Sequence, residues 1–270
     1  MSITNIVRKL FFSSRQNTIL PRYTKDVEEV QQRTLQHLID KGKYTEFGKN
    51  HLFDNIHSYE DFAQNIPINT YEDLKGFIDR MRHGEANVLW PGTVKWFAKS
   101  SGTTNDKSKF IPVTPEGLKN IHYAGGFDTV ALYLLNSPQS KFFDGKSLIL
   151  GGSHSPNYNL PHSLVGDLSA ILIENIPTAA KIIRVPKKRI ALLSDFEEKR
   201  DKIDRAAMDM NITNLSGVPS WMLSVLNRVM ELKGVDRLDS VWPNLEVFFH
   251  GGVAFTPYRH QYEQLITSDR

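Results

Sequence analysis

From Val94 onward the chain alternates between short runs of β-branched or aromatic residues and longer windows of helical periodicity. The runs are "VKWFA", "FIPVT", "SLILGG", "AILIENI", "KIIRV", "ITNLSGVP" and "LEVFFHGG", and the helical windows lie at Pro115 to Leu135, Ser194 to Met210 and Ser220 to Leu232. Strands spaced by helices bury their apolar faces as sheets with helices packed against them, so the expectation is an α/β fold with mixed β-sheets flanked by helices. The Ser194 window pairs Glu198 with Lys202 and Asp201 with Arg205 at i,i+4, the pattern of a solvated helix face. The Ser220 window has a start at Pro219 and Ser220 and a stop at Gly234. Its Met222, Leu223, Leu226, Val229 and Met230 fall on one side and are expected in the core.

Residues 1–90 read differently, as mainly helical. Val27, Val30, Leu35 and Leu38 form one stripe at helical spacing, and Leu74, Phe77, Ile78 and Met81 form another. The expected organisation is therefore a helical part over 1–90 and an α/β part over 91–270, with no Gly/Ser linker or internal repeat between them. At 270 residues and 40% hydrophobic, the chain has enough apolar material for a real core. The absence of cysteine excludes disulfides, thiolate metal sites and cysteine nucleophiles. "LFF" near the N-terminus is too short for a signal-peptide core, and no apolar window reaches the length of a membrane span, so a cytoplasmic protein without a membrane partner is expected. A net charge of +3 does not call for nucleic acid. The densest basic run, "KIIRVPKKR", lacks the interleaved aromatics that stack on bases and reads as a solvated loop around Pro186.

Between "VKWFA" and "FIPVT" the chain runs from Ser100 to Lys109 without an apolar side chain. A turn rich in Ser, Thr and Gly after a strand offers backbone N–H groups and hydroxyls converging on one point, a seat for phosphate oxygens. Gly102 permits close backbone approach, and Lys107 or Lys109 adds a mobile positive charge. A tight hairpin is a poor reading of S-S-G-T-T, because two β-branched threonines disfavour the positive φ that such turns need. The P-loop pattern G-x-x-x-x-G-K-[ST] is not met either. "FFHGGV" is a strand ending in two glycines, and "GGSHS" (Gly151 to Ser155) is a second Gly/Ser turn after a strand.

The Ser100 to Lys109 stretch resembles the phosphate loop of adenylate-forming enzymes, and within them that of the acyl-acid amido synthetases, the family of the plant auxin- and jasmonate-conjugating enzymes and their bacterial relatives. Ser100, Ser101, Gly102, Thr103, Thr104, Lys109 and Pro112 fall in register with that family's loop, while Asp106 stands where the pattern has glycine. "SGVPSWML" (Ser216 to Leu223) and "WPNLEVFFHGGVAFTPYR" (Trp242 to Arg259) resemble family segments in the same order. The resemblance implies the large N-terminal domain of an adenylate-forming enzyme that uses ATP and Mg2+. It gives Ser100, Ser101, Gly102, Thr103 and Thr104 to the phosphates, Lys109 to catalysis, and Gly251, Gly252 and Val253 to the adenine. His250 either faces that pocket or is a satisfied structural residue, and "GGSHS" either borders an acyl pocket or is a plain turn.

The reaction implied is a two-step ligation of a small carboxylic acid to an amine or amino acid through an acyl-adenylate, with no nucleic-acid partner. The family's Y-x-x-S-E motif, its ribose-binding aspartate and its mobile C-terminal domain do not occur before Arg270. The chain is thus expected to be the first half of such an enzyme and to form no acyl-adenylate by itself. Two other readings stand beside this one: a domain kept for nucleotide or carboxylate binding alone, and a protein-interaction module in which the loop is only a polar turn.

Overall fold

The computed structural model describes residues 2–100 and 108–266. Its strands are β1 (Trp96–Lys99), β2 (Phe110–Val113), β3 (Lys146–Ile149), β4 (Leu164–Gly166), β5 (Arg184–Val185), β6 (Ile212–Gly217) and β7 (Val247–His250). They form two sheets, ordered β2-β1-β4 and β5-β3-β6-β7. The chain divides into two compact units, one made of residues 14–132 and 155–168, the other of residues 1–13, 133–154 and 169–270.

In the first unit β1 pairs antiparallel with β2, with Lys99 opposite Phe110, and parallel with β4. β1 and β2 are thus antiparallel partners whose ladder reaches Lys99 and Phe110. Ile78, Met81, Val88, Val94, Phe97 and Val165 make the core of this unit, with Leu74 and Phe77 packed alongside. The stripe expected on the helix Tyr71–Arg82 is thus the buried one. That helix starts in a capping box in which Thr70 and Asp73 satisfy each other's backbone N–H groups. The helix Val27–Gly42 differs from expectation: Val27 and Leu38 are exposed, and the buried residues are Ile39 and Gly42.

The second unit holds a wholly parallel sheet. Leu148, Val185 and Leu215 share one face, packed with Ile203 and Ala207 of the helix Phe196–Ala207 and with the helix Pro219–Lys233. The latter buries Met222, Leu223, Leu226, Val229 and Met230 as expected and ends at Gly234 in the left-handed conformation at φ 63°. Trp242 is fully buried and donates its indole N–H to the Ala207 carbonyl at 3.2 Å.

Two apolar runs expected as strands are helical. "AILIENI" lies largely in the helix Leu168–Glu174, which buries Ala170, Ile171 and Ile173, and "KIIRV" divides into the end of the helix Thr178–Ile183 and the two-residue β5. A short continuous apolar run has no period with which to separate a buried helix from a buried strand. β4 was not expected at all, since only three residues of "SLVGD" pair. The basic run around Pro186 is not simply a solvated loop: Arg184 is buried, and Lys188 opens the short helix Lys188–Ala191.

Candidate functional site: a hairpin mouth and a parallel-sheet edge

Each group of residues singled out in the sequence sits at the end of a strand. In the first unit the β1–β2 ladder continues one step past the strands, where the Ser100 N–H donates to the Lys109 carbonyl at 2.9 Å. The Lys109 N–H in turn donates to the Ser100 hydroxyl at 3.2 Å. Ser100 and Lys109 are thereby brought together as the base of the loop. Ser101, Gly102, Thr103 and Thr104, with Asp106 and Lys107, lie outside the described residues.

The base of this loop is cationic, and each cation rests on an aromatic ring. Lys109 Nζ lies 5.5 Å from the Tyr71 ring centre, Lys99 Nζ 4.4 Å from that of Tyr158, and the Arg82 guanidinium 3.9 Å from that of Phe110. Ring faces hold such cations in place by their quadrupole without neutralising them, so the charge stays available to an anion. Tyr71 also accepts the Phe110 N–H at 2.9 Å through its hydroxyl oxygen, and Arg82 donates to the Tyr158 carbonyl at 2.7 Å. Lys109 is half-buried rather than a residue of a free turn, because it directly precedes β2 and is bonded to Ser100. Tyr71, Lys99, Arg82 and Tyr158 were not singled out in the sequence. They come from separate segments, and only the register Lys99 opposite Phe110 brings them to one place.

In the second unit the carboxyl ends of β3, β6 and β7 lie side by side, the edge at which ligands of parallel sheets are seated. Gly251, Gly252 and Val253 leave the end of β7 and are exposed. The Gly251 N–H reaches the Gly217 carbonyl at 3.4 Å, which extends the β6–β7 ladder into the turn. Gly252 has φ 84°, and a Cβ there would lie 3.2 Å from Val218 Cγ2, so a side chain is disfavoured by both backbone and space. His250 is exposed and its ring stacks on Phe255 with centres 4.5 Å apart.

The "GGSHS" turn opens from β3 on the same edge and is more than a plain exit. The buried Lys199 donates to the carbonyls of Gly151 and Gly152, both at 3.0 Å, while the Ser169 hydroxyl accepts the Gly152 N–H at 2.8 Å. His154 Nε2 lies 3.5 Å from a Glu174 oxygen, and Lys188 donates to Glu174 at 2.8 Å. The Lys188 bond, aided by His154, holds the Glu174 carboxyl below its ordinary range. Arg184 is buried, with Nε and one terminal nitrogen lacking hydrogen-bond partners, and this desolvation lowers its pKa against the opposing pull of Glu174. Among the described residues no group of three or more His, Asp or Glu side chains converges as a metal cage. No described helix is long and apolar enough to cross a membrane.

Comparisons with known proteins give the family of the chain and its fold. The model of the GH3 family N-terminal domain matches residues 18–270, and the chain belongs to that family. Indole-3-acetic acid-amido synthetase GH3.15 of Arabidopsis thaliana is 29% identical over 133 residues, which are 49% of this chain and 22% of that protein. Jasmonoyl–L-amino acid synthetase JAR4 of Nicotiana attenuata is 34% identical over 98 residues, 34% of this chain and 16% of that protein. Among solved structures, a GH3.15 acyl acid amido synthetase superposes with a TM-score of 0.73 at 18% identity, covering 93% of this chain and 54% of the other. The fold is therefore that of the acyl acid amido synthetases, and the chain spans about half the length of that relative.

Proposed function

We propose that this chain is the nucleotide-binding portion of an ATP-dependent acyl-acid amido synthetase acting in the cytoplasm on a small carboxylic acid and an amine or amino acid. Membership of the GH3 family across residues 18–270 is the observation that carries the reading. The named relatives point the same way: they include amido synthetases for indole-3-acetic acid and jasmonate, and a GH3.15 structure in complex with 2,4-DB that aligns at a TM-score of 0.64.

In the first step a carboxylate oxygen attacks the α-phosphorus of ATP, the bond from that phosphorus to the bridging oxygen breaks, and pyrophosphate leaves. In the second the amine nitrogen attacks the acyl carbon, AMP leaves with the former carboxylate oxygen, and the amine proton passes to solvent. Ser100, Ser101, Gly102, Thr103 and Thr104 would donate to the phosphates. Lys109 would stabilise the charge that grows on the departing pyrophosphate, with Lys99 and Arg82 adding positive charge at the same strand ends. Gly251, Gly252 and Val253 would leave room for the adenine ring. Mg2+ would enter bound to the ATP phosphates, an arrangement that needs only one or two protein carboxylates, and no described cluster is assigned to it.

Hydroxamate trapping in the natural protein that carries residues 1–270, across a panel of aromatic and aliphatic carboxylic acids, tests the reading. Acid- and ATP-dependent hydroxamate is expected. ATP binding without hydroxamate from any acid would favour a domain kept for binding alone, and no ATP-induced thermal shift would favour an interaction module.

A further inference from the structure

We propose that the cleft at the amino-terminal ends of β1 and β4 seats a phosphate group, at the opposite end of β1 from Ser100 and Lys109. The site stands independently of the ligase reading.

The cleft has a volume of about 370 Å³ and is lined by Gly84, Thr93, Lys95, His162 and Ser163. All of them belong to one compact unit, and three short segments bring them together. Residues 160–163 form a tight turn, closed by the Leu160 N–H on the Ser163 carbonyl at 3.0 Å and the Ser163 N–H on the Leu160 carbonyl at 3.1 Å. The Leu164 N–H donates to the Lys95 carbonyl at 2.8 Å, which holds this turn beside the residue before β1. Gly84 follows the helix Tyr71–Arg82 at φ 93°, and a Cβ there would lie 2.8 Å from Cγ of His162. Only glycine lets that ring approach so closely.

The side chains give the ligand. Lys95 offers an ammonium, His162 an imidazole, and Thr93 and Ser163 hydroxyls, all able to donate to an oxyanion. Among the described residues no carboxylate lines the cleft, and Lys95 has no ion pair. Glu85, next to Gly84 in the chain, is bound to Arg80. Ser163 is the most telling of the set: it is 2% exposed, and its Oγ has no hydrogen-bond partner. A buried hydroxyl that the protein itself leaves unsatisfied is costly, and a purely structural turn would be served better by alanine. A staggered rotation about the Cα–Cβ bond presents this hydroxyl to the cleft that Ser163 lines. A tetrahedral phosphate has more acceptor oxygens than a planar carboxylate, so it can take donors from the Thr93–Lys95 segment and from the turn together. Four residue steps along β1, about 13 Å, separate Lys95 from Lys99, so this is a second seat and not part of the loop base.

The test titrates the natural protein with inorganic phosphate at low salt, with acetate as the second probe, by calorimetry and thermal shift. Lys109→Ala serves as the background, because it weakens the loop base as a competing seat. Phosphate should bind this background, and more tightly than acetate. Adding Lys95→Met should weaken phosphate about fivefold, the scale of one exposed charge pair. Adding Ser163→Ala should weaken it about tenfold, the scale of a hydrogen bond to a charged group. Without phosphate, Ser163→Ala should melt no lower than its parent, since it deletes an unsatisfied donor.

No phosphate binding at millimolar concentrations, or binding that neither Lys95→Met nor Ser163→Ala weakens, overturns the proposal. Acetate bound as tightly as phosphate overturns the choice of ligand. A lower melting temperature of Ser163→Ala in the absence of phosphate would show that the hydroxyl has a structural partner and remove it from the site.

Discussion

Replacing Asp204 by asparagine should make the protein more stable relative to wild type as the pH rises. Asp204 is fully buried on the helix Phe196–Ala207, and neither of its carboxylate oxygens has a hydrogen-bond partner. Desolvation is the largest influence on it and Asp201 adds to this, while Arg200 and Arg228 oppose both; the outcome is a pKa raised from 3.8 to about 7. A buried acid of this kind stays protonated in the folded state while the unfolded chain ionises. Below about pH 4 both states hold the proton and nothing is lost. Between that point and pH 7 the unfolded state releases it first, so stability falls as pH rises and levels off above 7.

At 1.36 kcal/mol per pH unit the full penalty is roughly 4 kcal/mol near pH 8 and about 2 kcal/mol at pH 5, with relaxation around the carboxyl reducing both. Asparagine cannot ionise. It leaves a buried amide whose cost does not vary with pH. The stability difference between Asp204→Asn and wild type should therefore shift in favour of the variant by roughly 2–3 kcal/mol from pH 5 to pH 8. Urea titrations at a series of pH values, followed by tryptophan fluorescence, read this out in the unit that buries Trp242. A difference that stays constant from pH 4 to pH 8 would show that Asp204 finds a partner or water and titrates as an ordinary carboxylate.

Gly252→Ala places a side chain at φ 84° and 3.2 Å from Val218, so a loss of about 1–2 kcal/mol in stability is expected by thermal melting, together with weaker ATP binding by calorimetry. Asp106→Gly removes a carboxylate from the proposed phosphate loop and should tighten ATP binding by up to roughly 1 kcal/mol at low salt, less at high salt; weaker binding would mean that Asp106 has a useful partner. Tyr71→Leu removes the ring under Lys109 and the acceptor of the Phe110 N–H, and should raise KM for ATP by a few-fold, about the worth of one cation–π contact.

The parts of the fold legible in the sequence are those with an unambiguous period or a strong stop. The helix Pro219–Lys233 has an apolar stripe, a proline at its first turn and a left-handed glycine after it, and all three agree. The paired runs around Ser100 to Lys109 read as strands because polar residues bound them. The helix Leu168–Glu174 was hidden by its own burial, since an apolar run without polar punctuation shows no period.

For the site, strand-end loops and glycines were visible, but what holds them was not. The helix Phe196–Ala207 illustrates why. Its Glu198–Lys202 pair was read correctly as solvated, whereas Asp201 lies 3.9 Å from Arg200 instead of joining the expected pair with Arg205. Among the same dense charges Lys199 and Asp204 face inward. A signal was present: Lys199, Ile203 and Ala207 follow one another at i,i+4, so a lysine shares the face of two core residues. Nothing in the pattern tells that lysine from one whose stem lies along the core while its head reaches water. Only the Gly151 and Gly152 carbonyls, some fifty residues earlier, supply the partner.

The most direct test of the ligase reading is ATP–pyrophosphate exchange in the natural protein that carries these residues, wild type against Lys109→Ala, with the acid that gives the strongest hydroxamate signal. The Lys109 backbone bonds to Ser100 survive the substitution, so the hairpin should still form. Acid-dependent exchange is predicted in the wild type and a drop on the order of a hundredfold in the variant, the scale of one lost electrostatic donor. Exchange at the wild-type rate in Lys109→Ala would take the hairpin mouth out of the reaction and contradict the account.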